Sequence, residues 1–193
     1  MSKVVIITGK AGTGKSTVAN ILRNYGYNVI DVDSLAHSLL QEVKEEILKE
    51  FGAEVLDGEG EVNRKKLGEI VFKDPQKITK LEQILHPILK ERIKEIVKER
   101  EGDIFIDVAL PKKLSLYPFA DFTIVVTAPP EVVVERLKKK GWPEEKIKAI
   151  ANWQTEEIPE GKYYLVPNIG TLEDLERKVF SILKMEGLWN EKD

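Results

Sequence analysis

Apolar and polar positions follow two periods along this chain. Short, mostly apolar runs occur at Val4-Val5-Ile6-Ile7, Asn28 to Asp31, Ile104-Phe105-Ile106-Asp107, Phe122-Thr123-Ile124-Val125-Val126 and Tyr163-Tyr164-Leu165-Val166. Their length and their β-branched and aromatic content predict strands rather than buried helices. Between them the spacing is helical. A first helix begins near Lys15 and runs to about Tyr25. Glu42 to Phe51 and Arg64 to Phe72 are shorter, joined by the turn-rich Gly52 to Asn63. From Asp74 to Arg100, apolar residues from Ile78 through Leu85 and Ile93 to Val97 draw one stripe on a charged helix. Pro87 inside it predicts a kink or a division into two helices. Pro129 to Lys140 and Pro143 to Trp153 predict a pair broken at Gly141-Trp142-Pro143, and Thr171 to Met185 a closing helix.

Strands that alternate with helices predict an α/β fold, a parallel sheet covered on both faces. A length of 193 residues suits one such domain with small additions. Two segments break the rhythm. Residues 34–100 hold more helix than the sheet can carry, and 136–154 are rich in lysine. In a phosphate-transferring fold these are natural places for an acceptor-binding insertion and a lid whose closure excludes water.

Composition narrows the class by exclusion. A net charge of −3 gives no general attraction to nucleic acid or an anionic membrane. No apolar run approaches the roughly 18 residues of a membrane span. The chain enters its first strand without a cleavable leader pattern. The absence of cysteine removes disulfides, thiol nucleophiles and cysteine-based zinc sites. The expectation is a soluble cytoplasmic protein with a small-molecule substrate.

The strongest chemical signal follows the first strand. Gly9-Lys10-Ala11-Gly12-Thr13-Gly14-Lys15-Ser16, then Thr17, is the GxxxxGK[ST] pattern in its strand–loop–helix setting. Its glycines let backbone N–H groups turn toward a phosphate chain, and the helix start adds its positive dipole end. Lys15 can reach the outer phosphates of a nucleoside triphosphate, and the Ser16 hydroxyl can hold Mg²⁺.

Acidic candidates sit at strand ends, along the edge where ligands of open parallel sheets bind. Asp31 and Asp33 follow the second strand. Either can cap the next helix, but an Asp there can also take the proton of an acceptor hydroxyl, and Asp33 should reach farther. Asp107, after three apolar residues, has the form of a Mg²⁺-holding carboxylate or of a plain strand-terminal turn residue. Arg136 is the best phosphate clamp of the lysine-rich segment because its guanidinium is a planar fork. Lys138, Lys139 and Lys140 read first as a solvated helix face. His37 and His86 are too far apart for a metal pair and either line an acceptor pocket or lie on the surface. Asp57-Gly58-Glu59-Gly60 reads as a plain turn.

Taken together these residues resemble the dephospho-coenzyme A kinase family. The resemblance rests on Ile7-Thr8-Gly9 through Thr17, Asp31-Val32-Asp33 with Ala36-His37, and Phe51-Gly52. It continues through the run Asn63-Arg64-Lys65-Lys66-Leu67-Gly68-Glu69-Ile70-Val71-Phe72, Leu85-His86-Pro87 and Ile106-Asp107-Val108-Ala109-Leu110. Arg136, Gln154 and Asn168-Ile169-Gly170 complete it. The resemblance implies a three-layer P-loop kinase fold with a core, a helical acceptor-binding region and a lid. It implies ATP and Mg²⁺ as cofactors and the ribose 3′-hydroxyl of dephospho-CoA as acceptor. Asp33 becomes the implied base, with Lys15 and Ser16 at the triphosphate and metal. Arg64 and His86 fall in or near the acceptor region, Arg136 in the lid and Asn168 near the adenine. The chain departs from the family pattern at Leu39 to Glu45, at Ala109-Leu110-Pro111-Lys112-Lys113, at Ile150 and at Lys162-Tyr163. Those positions touch acceptor and lid, so a kinase of another small acceptor and a nucleotide-binding regulator stand as alternatives.

Overall fold

The computed structural model describes residues 2–153 and 158–189, with 151–153 described by their backbone alone. Gln154, the end of the expected lid, lies outside the described residues. The chain divides into two compact units, one formed by Met1–Ile30 and Arg100–Asp193, the other by Asp31–Glu99.

The first unit is built on β1 (Val4–Thr8), β2 (Asn28–Asp31), β3 (Ile104–Asp107), β4 (Phe122–Thr127) and β5 (Tyr163–Pro167). They form one parallel sheet in the order β2-β3-β1-β4-β5. β1 pairs with β3 (Ile7 opposite Asp107) and with β4 (Thr8 opposite Val125). The central position explains why β1 and β3 read as unbroken apolar runs, since both faces of each are buried. β5, at the edge, alternates instead, with Tyr163 and Leu165 exposed and Val166 buried. Helices α1 (Lys15–Asn24) and α8 (Leu172–Met185) join the sheet in one core. Val18 and Leu22 from α1 and Val179 and Leu183 from α8 meet Val5, Phe105 and Ile124 there. Each such side chain contributes roughly 1.5–3 kcal/mol on full burial. α6 (Pro130–Lys139) and α7 (Glu144–Trp153) belong to the same unit.

A second device ties α8 to the sheet. The buried Glu186 carboxylate accepts from Lys3 Nζ at 2.9 Å and is also bound by Lys162 and the Tyr164 hydroxyl. Lys3 additionally donates to the Glu186 carbonyl at 2.6 Å. Burial alone would raise this carboxyl's pKa, but the bonds from Lys162, Tyr164 and Lys3 overcome it and hold the value at about 2.

The second unit holds α2 (Val32–Leu39), α3 (Lys44–Phe51), α4 (Arg64–Val71) and α5 (Pro75–Glu99). Its core gathers Leu40, Val43, Ile47, Val55, Leu67 and Val71 against the α5 stripe at Leu81, Ile84, Leu85 and Ile88. α5 runs through Pro87 as one helix. Pro87 is exposed, and the stripe on either side of it is packed into the core, which holds both halves in one element. α3 begins two residues later than its pattern suggests, because Glu42 and Val43 are drawn into a turn that closes on the Leu39 carbonyl. Asp57 accepts the N–H groups of Glu59 and Glu61, both at 2.9 Å, so its loop is a plain turn.

Candidate active site

The phosphate-binding pattern occupies the connection from β1 to α1. Thr13 closes its first turn, donating from its backbone N–H (3.2 Å) and its hydroxyl (2.7 Å) to the Lys10 carbonyl. Gly9 passes so near β4 that a β-carbon there would lie 2.6 Å from the Val126 carbonyl oxygen. Gly14 caps α1 at φ 99°, a conformation that side-chain-bearing residues avoid. α1 then starts at Lys15, without a side-chain cap, so its first N–H groups stand at the loop as an anion-binding terminus. Ser16, in that first turn, is exposed, and Thr17 half-buried.

Lys15 reaches from this terminus to the end of β3, where its ammonium pairs with the Asp107 carboxylate. Asp107 is 6 % exposed, and its position beside β1 puts it next to the loop's root. The Asp107 carboxylate is thus buried in an ion pair with the loop lysine. The segment beyond, where the chain departs from the family pattern, is held to β1. Val108 donates its N–H to the Ile7 carbonyl at 3.0 Å, and the Thr8 hydroxyl donates to the Ala109 carbonyl at 3.2 Å. It then turns at 111–116, with Ser115 at φ 51° and Pro111 buried.

Arg136, on α6, grips the loop's backbone. Its Nη1 donates to the carbonyls of Thr13 (3.2 Å) and Gly12 (3.4 Å), and its Nη2 to that of Asn168 (2.8 Å). Asn168, just past β5, donates from Nδ2 to the same Thr13 carbonyl at 2.8 Å. These contacts join three segments more than 30 residues apart and leave no periodic trace in the sequence, which offered only the residue types. Lys139 lies on the exposed side of α6 and pairs with Glu135 at 2.7 Å.

The remaining candidates belong to the helical unit. Asp31 is the N-cap of α2, accepting the Ser34 N–H at 2.9 Å. Asp33 sits in the first turn of that helix and is exposed. The pair therefore divides: Asp31 is the cap and Asp33 presents its side chain to solvent. His37 closes the same helix and is exposed. Arg64 opens α4, exposed, directly after the Asn63 cap, whose side chain accepts the Lys66 N–H at 3.0 Å. His86 is half-buried within α5. No cluster of three or more His, Cys, Asp or Glu able to hold a metal occurs among the described residues.

The loop lysine and the buried carboxylate are thus paired at the end of β3, and comparison with known proteins gives the family. The family model for dephospho-CoA kinase matches residues 3–163. The chain belongs to the dephospho-CoA kinase family. It is 39 % identical to the dephospho-CoA kinase of Wolinella succinogenes over 188 residues, covering 93 % of this chain and 92 % of that one. The corresponding enzyme of Aquifex aeolicus is also 39 % identical, over 92 % of this chain and 94 % of its own. A crystal structure from Thermus thermophilus superposes with a TM-score of 0.79 at 31 % identity, covering 95 % of this chain and 97 % of the other. As a member of the dephospho-CoA kinase family, the chain is a transferase of the P-loop kinase fold.

Proposed function

We propose that this chain transfers the γ-phosphoryl group of ATP to the ribose 3′-hydroxyl of dephospho-CoA, giving coenzyme A and ADP. The observation that carries the reading is the family match across nearly the whole chain, on a loop whose backbone and lysine have the form that phosphate binding requires. In this reading the loop from Gly9 to Thr17 cradles the triphosphate. Lys15 leaves Asp107 to follow charge onto the β- and γ-phosphate oxygens.

Asp33 accepts the proton of the 3′-hydroxyl as that oxygen bonds to the γ-phosphorus. The bond from that phosphorus to the β,γ-bridging oxygen breaks, and ADP leaves with the electron pair. The Ser16 hydroxyl and the Asp107 carboxylate suit Mg²⁺, which takes one or two protein oxygens and completes its shell with phosphate oxygens and water. When bound, the ion neutralises charge on the phosphate oxygens. The unit Asp31–Glu99 supplies the acceptor region, with His37, Arg64 and His86 as its polar contacts, and 136–154 acts as the lid. The reaction takes place in the cytoplasm. No helix among the described residues is long and apolar enough to cross a membrane.

Asp33→Asn tests the role of the base. It should leave ATP affinity nearly unchanged and lower transfer at least ~100-fold, the usual scale for a positioned base. Equal turnover in the variant would remove Asp33 from that role.

A further inference from the structure

We propose that Arg136 and Asn168 set ATP affinity from behind the loop, as positioning residues that hold the Thr13 peptide in the orientation that aims its neighbour's N–H at phosphate. The proposal rests on the reading of the loop as the ATP site. Its starting point is that the Thr13 carbonyl oxygen takes two side-chain donors, Asn168 Nδ2 at 2.8 Å and Arg136 Nη1 at 3.2 Å. A planar trans peptide points its C=O and the next N–H in opposite directions. Seating the Thr13 carbonyl on these donors therefore points the Gly14 N–H the opposite way, away from Arg136 and Asn168.

Orientation matters here because a loop that binds polyanions must keep its carbonyls away from the phosphates. With glycine at 12 and 14, at φ 80° and 99°, little in the loop's own sequence opposes a peptide flip. Such a flip would exchange a phosphate donor for a carbonyl dipole of the wrong sign. The restraint comes from outside the loop. Arg136 is itself held, since its second nitrogen donates to the Asn168 carbonyl at 2.8 Å. The guanidinium thus spans the carbonyls of Gly12, Thr13 and Asn168 with a fixed fork, which an ammonium cannot do. Asn168 also fills the space over Gly14, with its Nδ2 only 2.1 Å from where a β-carbon on that residue would lie. On the other side, Val133 and Leu137 of α6 lie 3.0 Å from the corresponding point on Gly12. Arg136 therefore acts on carbonyls, and its effect on phosphate passes through the loop.

The test is calorimetric titration of wild type, Arg136→Lys, Arg136→Ala and Asn168→Asp with ATP, ADP and adenosine, together with the Michaelis constants of both substrates. Asn168→Asp removes the donor at nearly constant shape and sets a carboxylate oxygen against the Thr13 carbonyl. All three variants should weaken ATP and ADP by roughly tenfold or more, the scale of a lost charge-assisted bond. Adenosine binding and the acceptor KM should not change, and Arg136→Lys should behave like Arg136→Ala. The Arg136→Ala/Asn168→Asp double variant should cost little more than the worse single one, because both act on one peptide. Equal losses for adenosine and ATP would overturn the proposal in favour of a base contact. An Arg136→Lys variant of near wild-type ATP affinity would overturn it in favour of a simple charge. Variants that match the wild type for ATP would overturn it while leaving the donor site intact. A wild-type chain that does not bind ATP would overturn the donor site and this proposal together.

Discussion

Replacing Gly14 with alanine tests the loop's geometry at a single atom. Gly14 has φ 99° and ψ 18°, where an L-residue meets its own carbonyl, at a cost of about 1–2 kcal/mol. The added methyl would also lie 2.1 Å from Asn168 Nδ2 and 3.3 Å from its Cγ. Asn168 must then swing away, and its 2.8 Å bond to the Thr13 carbonyl is lost, a further cost of about 1 kcal/mol. The sum is about 2–3 kcal/mol, and it can fall on the fold or, if the loop relaxes, on ATP binding. Guanidinium unfolding and calorimetric titration with ATP measure the two shares, whose total should reach at least ~2 kcal/mol. Gly26→Ala is the control: φ is 84° there and no atom lies within 4 Å of the added carbon, so only the dihedral cost remains. In an Asn168→Ala background the Gly14→Ala penalty should shrink toward that of Gly26→Ala. Losses below ~0.5 kcal/mol in both assays would refute the strain and the clash alike.

Other expectations concern charge and burial. Glu186 titrates at about 2 in the fold instead of 4.5, so its stabilisation is complete above pH ~4.5 and disappears as pH falls toward 2. The shift corresponds to about 3 kcal/mol, which the 56 % exposure of the Lys162 side chain reduces to roughly 1–2 kcal/mol. Glu186→Gln should lose that amount at pH 7 and flatten the acid limb of stability against pH, whereas an unchanged limb would contradict the cluster. The Thr123 hydroxyl is buried and has no hydrogen-bond partner. Thr123→Val should therefore hold or raise the unfolding temperature, by up to ~1–2 kcal/mol of stability, and a loss above ~1 kcal/mol would refute this. Lys15→Ala should weaken ATP binding and transfer together, and unchanged ATP affinity would count against the loop as the phosphate site.

The sheet was legible because each strand is a local pattern. β1 and β3 show unbroken apolar runs because they are covered on both faces, and β5 reads as an apolar run too, although its edge position leaves Tyr163 and Leu165 exposed. The loop was legible for the same reason, as its motif lies within eight consecutive residues. Pro87 was ambiguous because local rules disfavour proline in a helix, while the packing that holds α5 together depends on α2, α3 and α4. Asp31 and Asp33 both lie at the start of a helix, so the sequence left open which of them caps it. The Ser34 N–H identifies Asp31 as the cap. The grip of Arg136 on backbone carbonyls and the three donors around Glu186 were invisible, because their partners lie up to 183 residues apart and carry no periodicity.

The most direct test of the account is a phosphotransfer assay with ATP, Mg²⁺ and dephospho-CoA, with the product identified by mass. Coenzyme A should form with one phosphoryl group added at the ribose 3′-oxygen, dependent on both substrates. ATP binding without coenzyme A formation would contradict the account and leave a kinase of another acceptor or a nucleotide-binding regulator.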